Sequence, residues 1–221
     1  MVEFSCKRKI KSIAFFLMTV KQSIQSISGF IQAGGKSQRM GQNKALLKLA
    51  GYKLIEYSIK SLTPIVSQLG IITSTPEVYS DLNIASYPDI WPGLGPLAGI
   101  YAALEYSEND YVLSLACDMP FIPSDLLKLL VKYGENHQVC VPLDFQGQIQ
   151  PLCALYHKSC QPNILTLINQ AKYAPRGLFS LVKTQIVSFE CFAHLSGAKH
   201  FFENINSPED FSLAHNYLKL E

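Results

Sequence analysis

The chain predicts an α/β fold in three layers: a Rossmann-like, mostly parallel central sheet with helices on both faces. Three observations point there. From Ser28 onward, short apolar strand signals alternate with amphipathic helix signals, the pattern of βαβ units. The length of 221 residues suits one α/β domain. A hydrophobic fraction of 48%, with twelve Phe, supplies a core that needs no disulfide or metal staple.

The elements follow in order. Residues 29–33 form an apolar run that ends in two glycines, a first strand entering a turn. Residues 45–62 read as a helix broken near Gly51, with Leu54, Ile55, Tyr57, Ser58, Ile59 and Leu62 on one face, and Pro64 ends it. Residues 69–73 are a buried strand and 83–87 a short one ending at Pro88-Asp89. Pro and Gly make 90–96 a loop. Pro96, at a helix start where its missing donor is harmless, opens a helix over 95–104. Residues 111–116 form a strong central strand closed by Cys117-Asp118-Met119-Pro120. A helix is expected over 123–133, strands over 138–142 and 152–156 around Gly147, and helices over 159–170 and 176–183. A strand over 185–189 and a last helix to about residue 218 complete the chain.

Residues 1–27 read as an extension outside the core, and 28–221 as a single domain. Lys7-Arg8-Lys9-Ile10-Lys11 followed by Ile13 to Met18 imitates the basic and apolar parts of a signal peptide. The apolar part is short, Lys21 follows quickly, and no small-x-small cleavage site appears. It is also too short to cross a bilayer. The expectation is a cytoplasmic protein whose synthesis begins at Met18. A net charge of +2 argues against a general nucleic-acid binder. The cysteines at 6, 117, 140, 153, 160 and 191 include no C-x-x-C pair, which favours free thiols.

The stretch from Phe30 to Leu47 carries the sharpest chemical signal. An apolar strand leads into Gly34-Gly35, and Lys36, Arg39 and Lys44 follow within nine positions. Glycines let backbone N–H groups turn toward and approach a ligand, and successive N–H groups make an anion-binding concavity. The reading is a loop that holds a polyphosphate; the bland alternative is a tight turn with solvated surface cations. Neither a Walker A loop nor G-x-G-x-x-G fits the glycine spacing. Ligands of parallel α/β sheets bind beyond the carboxyl ends of the strands. The glycine loop, Thr73, Asp89 and Asp118 all fall at such ends in this assignment. Asp118, at the tip of a central strand, suits Mg²⁺, which takes a few carboxylates plus phosphate oxygens. Its alternative is a capping or turn aspartate.

The run Gln32-Ala33-Gly34-Gly35-Lys36-Ser37-x-Arg39-Met40-Gly41-x-x-Lys44-x-Leu46-Leu47 resembles the signature of the molybdenum cofactor guanylyltransferases, within the nucleotidyltransferase superfamily. Gly95-Pro96-Leu97-Ala98-Gly99, Cys117-Asp118-Met119-Pro120 and Asn204-Ile205-Asn206-Ser207-Pro208-Glu209-Asp210 match its later blocks in order. The resemblance covers about residues 28–218. It implies guanylyl transfer from GTP to Mo-molybdopterin, with nucleotide bound in the first half of the domain and pterin in the second. It implies that Gln32, Ala33, Gly34 and Gly35 contact the nucleotide, largely through backbone, and that Lys44 binds its phosphates. Thr73 and Asp89 would contact the nucleotide, and Asp118 would hold Mg²⁺ (or Mn²⁺). Arg39, Lys44 and Asp118 form the catalytic set, while Arg176 and Asn206 would meet the pterin substrate. Gln32 departs from the family's usual leucine, and Thr73 stands near where it often has asparagine. Molybdoenzyme chaperones are further expected partners; a membrane is not. The rival readings are a cytidylyltransferase for the same pterin, which usually shows Ala-Ala-Gly at 33–35, and a non-catalytic nucleotide-binding regulator.

Overall fold

A computed structural model of the protein describes residues 27–34 and 43–217. The expectations for the N-terminal extension, Gly35, Lys36 and Arg39 lie outside the described residues.

Among the described residues, nine strands and five α-helices follow one another: β1 (Ile27–Gln32), β2 (Lys48–Leu49), β3 (Tyr52–Lys53), α1 (Leu54–Leu62), β4 (Gln68–Thr73), β5 (Ala85–Pro88), α2 (Pro96–Tyr106), β6 (Tyr111–Ala116), α3 (Ser124–Gly134), β7 (Val139–Pro142), β8 (Cys153–His157), α4 (Gln161–Asn169), β9 (Thr184–Val187) and α5 (Pro208–Tyr217). The main sheet has the order β5-β4-β1-β6-β8-β7-β9. β1 pairs in parallel with β4 and β6, as does β4 with β5 and β7 with β9, whereas β8 runs antiparallel to β6 and β7. The mostly parallel sheet expected from the sequence is therefore present, with one reversed strand set into it. β1 is where the order turns: β4 and β5 lie to one side, β6 to the other. The crevice beyond such a reversal is where open α/β sheets bind ligands.

Side-chain alternation along β1 builds both faces at once. Ile27 and Ile31 enter a core with Ile55 and Leu62 of α1 and Leu126, Leu127 and Leu130 of α3. Phe30 enters the opposite core, with Leu97, Ile100 and Leu104 of α2 and Ile164 and Leu167 of α4. Gly70 on β4 lets Phe30 and Tyr87 close in, since a Cβ there would stand 2.5 Å from the Phe30 ring. A third, small cluster joins Leu49 and Leu54 to Ile205 and Ala214, which seats α5 beside the β2–β3 hairpin.

Two expected helices are corrected. Residues 45–62 do not form a broken helix: a 3-10 turn (Lys44–Leu46) leads into the β2–β3 hairpin, and only Leu54–Leu62 is α-helical. Ala50 and Gly51 both take positive φ, 48° and 94°, the geometry of a primed hairpin turn. Burial of Leu49 and Leu54 against Ile205 outweighs the local helix propensity of Ala45–Leu49. Residues 176–183 likewise form only a 3-10 turn at Pro175–Gly177. The Thr184 hydroxyl donates to the carbonyls of Phe179 and Val182, and Lys183 N–H donates to the Gln138 side chain, so the chain is drawn to the sheet edge. The helix expected over 159–170 begins as a 3-10 turn, Lys158–Cys160, before α4.

Candidate functional site

Parallel register sets the carboxyl ends of β1, β4, β5 and β6 on one edge: Gln32 lies level with Ile72 and Ala116, and Thr73 with Pro88. Three side chains from distant segments meet at that edge. Lys44 Nζ donates to Asp118 Oδ2 and to Asn206 Oδ1, 2.7 Å in each case.

Each member is placed by local structure. Asn43 caps the 3-10 turn, its Oδ1 accepting from Ala45 N–H at 3.1 Å while Ala45 is buried beneath, so the turn that carries Lys44 is fixed at its start. Asp118 follows the tip of β6, and its backbone carbonyl accepts from Ile205 N–H at 3.1 Å. That bond brings the closing segment to the strand tip. Asn206 and Ser207 N–H both donate to Asp210 Oδ2, while Ser207 Oγ accepts from Asp210 N–H, a reciprocal cap at the start of α5. These donors, with Asn206 N–H first among them, hold the Asp210 carboxyl below its usual range. Lys44 and Asp118 are separated by 74 residues, and Lys44 and Asn206 by 162.

The β1 end supplies the neighbouring wall. Ala33 N–H donates to Ile72 O and Cys117 N–H to Gln32 O, which ties the start of the glycine loop to β4 and to the residue before Asp118. Gly34 is exposed, and a Cβ added there would meet nothing within 4 Å among the described residues. The Gln32 side chain lies between α2 and β6, where Nε2 donates to Gly99 O and to Ser114 Oγ, each at 3.2 Å.

The remaining predicted residues divide. The buried Thr73 hydroxyl accepts from Thr75 N–H at 3.1 Å, so it caps its own turn. Thr73 O accepts from Asp89 N–H, which places the half-buried Asp89 at the same edge; its Oδ1 accepts from Trp91 N–H. Burial pushes the Asp89 carboxyl up from its usual range. Arg176 sits exposed on the Pro175–Gly177 turn and is not brought into the Lys44 cluster. Burial, reinforced by the Asp118 charge, pushes the Cys117 thiol up to about 12, which keeps it protonated and poorly nucleophilic beside the site.

Two residues that sequence reasoning missed hold this arrangement. The fully buried Tyr79 hydroxyl accepts from Asn43 Nδ2 at 3.0 Å and lies in donor range of Ala33 O, at 3.4 Å. It thereby links the first strand's end to the cap of the Lys44 turn. Asn43, ahead of Lys-Ala-Leu, carried a readable capping signal, whereas nothing local marks Tyr79. Among the described residues no group of three or more His, Cys, Asp or Glu could hold a metal, and no helix is long and apolar enough to cross a membrane.

The family model described as a MobA-like NTP transferase domain matches residues 29–187. A relative from Carboxydothermus hydrogenoformans, named probable molybdenum cofactor guanylyltransferase, is 39% identical over 188 residues, covering 85% of this chain and 94% of its own. One of the same name from Clostridium perfringens strain 13 is 38% identical over 188 residues, covering 83% and 93%. Among solved structures, molybdopterin-guanine dinucleotide biosynthesis protein A from Archaeoglobus fulgidus superposes with a TM-score of 0.77 at 24% identity, covering 88% of this chain and all of that one. A 4-diphosphocytidyl-2C-methyl-D-erythritol synthase from Anaerococcus prevotii shares the fold, with a TM-score of 0.67 at 12% identity, covering 89% and 99%. The first three sequence blocks, up to Pro120, lie inside the matched domain and the closing block at 204–210 lies beyond it: the chain belongs to the MobA-like NTP transferase family and is a nucleotidyltransferase.

Proposed function

We propose that this protein transfers GMP from GTP to Mo-molybdopterin, forming molybdopterin guanine dinucleotide and releasing pyrophosphate. The observation that carries the reading is the meeting of Lys44, Asp118 and Asn206 at the carboxyl edge of the sheet, in a chain whose relatives bear the guanylyltransferase name. An acceptor phosphate oxygen attacks the α-phosphorus, the bond to the bridging oxygen breaks, and pyrophosphate leaves. A phosphate monoester is already charged about −1.5 to −2 near pH 7, so no strong base is required. The protein's task is to align two anions and relieve their repulsion.

Backbone at Ala33, Gly34 and Gly35 would receive the nucleotide, with Thr73 and Asp89 flanking it. Lys44 and Arg39 would neutralise phosphate charge, and Arg176 would meet the acceptor's phosphate. The residues present fit Mg²⁺ or Mn²⁺, because two hard oxygen donors, Asp118 Oδ2 and Asn206 Oδ1, already converge on a single cationic centre, the Lys44 ammonium. With one carboxylate at hand, the rest of the coordination would come from phosphate and water. A divalent ion there would offset charge on the α-phosphate and leaving pyrophosphate.

The purified protein, given Mo-molybdopterin, Mg²⁺ and each of GTP, CTP, ATP and UTP in turn, is expected to form dinucleotide and pyrophosphate with GTP at least about 100-fold faster than with the others. Comparable turnover with CTP would transfer the assignment to cytidylyl chemistry. Asp118→Asn is expected to lower GTP turnover by about 10²–10³ while retaining the fold. Near-normal turnover in that variant would remove Asp118 from the catalytic set.

A further inference from the structure

Lys44 makes two contacts that do not suit a lysine simply waiting for phosphate. Its ammonium lies 2.7 Å from both Asp118 Oδ2 and Asn206 Oδ1, the two oxygens best placed to ligate a divalent ion. The pair is largely withdrawn from water, with side-chain exposures of 12% for Lys44 and 22% for Asp118. The capped turn beneath Lys44 fixes where its side chain starts. We propose, resting on the site reading above, that Lys44 guards the metal position: its ammonium fills the place between Asp118 and Asn206 until a polyphosphate draws it away, so that divalent ion and nucleotide bind together.

A divalent ion takes oxygen ligands at roughly 2.0–2.1 Å if Mg²⁺, so one bound to Asp118 Oδ2 would stand against the ammonium already there. Two cations on that oxygen pair repel one another unless a further anion lies between them. The triphosphate is such an anion. It accepts the ammonium as the ion takes Asp118, and each ligand thereby raises the other's affinity by one common factor. The bare protein would then resist loading with metal alone.

The test measures Mn²⁺ binding to the full-length protein without nucleotide, by the electron paramagnetic resonance of the free ion. Lys44→Met and Lys44→Gln are expected to bind Mn²⁺ at least about tenfold more tightly than wild type, within the usual range of coupling between sites. Lys48→Met removes the same charge from an exposed residue of the same segment and should change affinity less than about twofold. Adding Asp118→Asn to Lys44→Met should abolish the gain. In EDTA, Asp118→Asn should bind GTP more tightly than wild type, because Lys44 no longer has a carboxylate to leave; this arm decides the matter if the Lys44 variants do not fold. Unchanged Mn²⁺ affinity in both folded Lys44 variants, or unchanged or weaker metal-free GTP binding by Asp118→Asn, overturns the guard. Tight Mn²⁺ binding that survives Asp118→Asn in the Lys44→Met background overturns it too, and in addition removes the ion from Asp118, the reading on which the guard rests.

Discussion

Tyr79 has no role in any motif, yet its hydroxyl joins Ala33 to the Asn43 cap and so stands behind Lys44. Tyr79→Phe removes one oxygen and keeps the ring volume. The expected result is a KM for GTP raised about 3–10-fold with kcat changed less than about twofold, and a stability loss of about 1 kcal/mol for the weakened hydrogen bonds. Steady-state kinetics and urea unfolding would check both, and an unchanged KM would make the tyrosine a packing residue only. Asp89 behaves oppositely from the paired carboxylates. Burial raises its folded-state pKa, so its ionised form weakens the fold at neutral pH; that penalty shrinks as pH falls below the raised value and is gone only below the ordinary carboxylate pKa of the unfolded chain. Asp89→Asn keeps an oxygen for Trp91 N–H and is expected to melt higher than wild type at pH 7. The advantage should shrink below the raised pKa and vanish once Asp89 is protonated in both the folded and unfolded chain; an advantage that stayed constant with pH would show that burial of charge was not its cause.

At the level of elements, β1 and α2 are locked together through the Gln32 side chain. Gln32 lies under Gly99, where an added Cβ would fall 2.2 Å from Gln32 Oε1. Its Nε2 also bonds Gly99 O and Ser114, so the amide cannot yield without losing partners. Gly99→Ala is expected to destabilise by about 1–3 kcal/mol through overpacking, and Gln32→Ala in the same chain should recover part of the loss. Additive effects in that double-mutant cycle would refute the contact. The strands here were legible because β1 and β6 are short apolar runs bounded by Gly or Pro. The β2–β3 hairpin was not, because Lys44–Leu49 has ordinary helix-compatible residues and Ala50 must adopt positive φ. Only contact with Ile205 and Ala214, far along the chain, makes that conformation worthwhile.

On the scale of the whole molecule, a nucleotide that bridges the β1 edge and the closing segment should stabilise all of it. At GTP about 100-fold above its dissociation constant, with Mg²⁺ present, binding adds about 2.7 kcal/mol. For a domain of this size that is a rise in Tm of roughly 5–10 °C. CTP, ATP and UTP at equal concentration should give clearly smaller shifts, and a uniform shift would argue for a loop that reads phosphate but not base.

The sequence by itself determined the alternation of strands and helices and the family, since each rests on short-range pattern or on blocks whose order along the chain is enough. It also named Lys44, Asp118 and Asn206 separately. Their meeting at one point, with the lysine between the two oxygens, belongs to the tertiary structure. Contacts across 74 and 162 residues are set by sheet order and by the Ile205–Asp118 backbone bond. No local periodicity encodes either of these, because both arise only when separate hydrophobic faces are buried together.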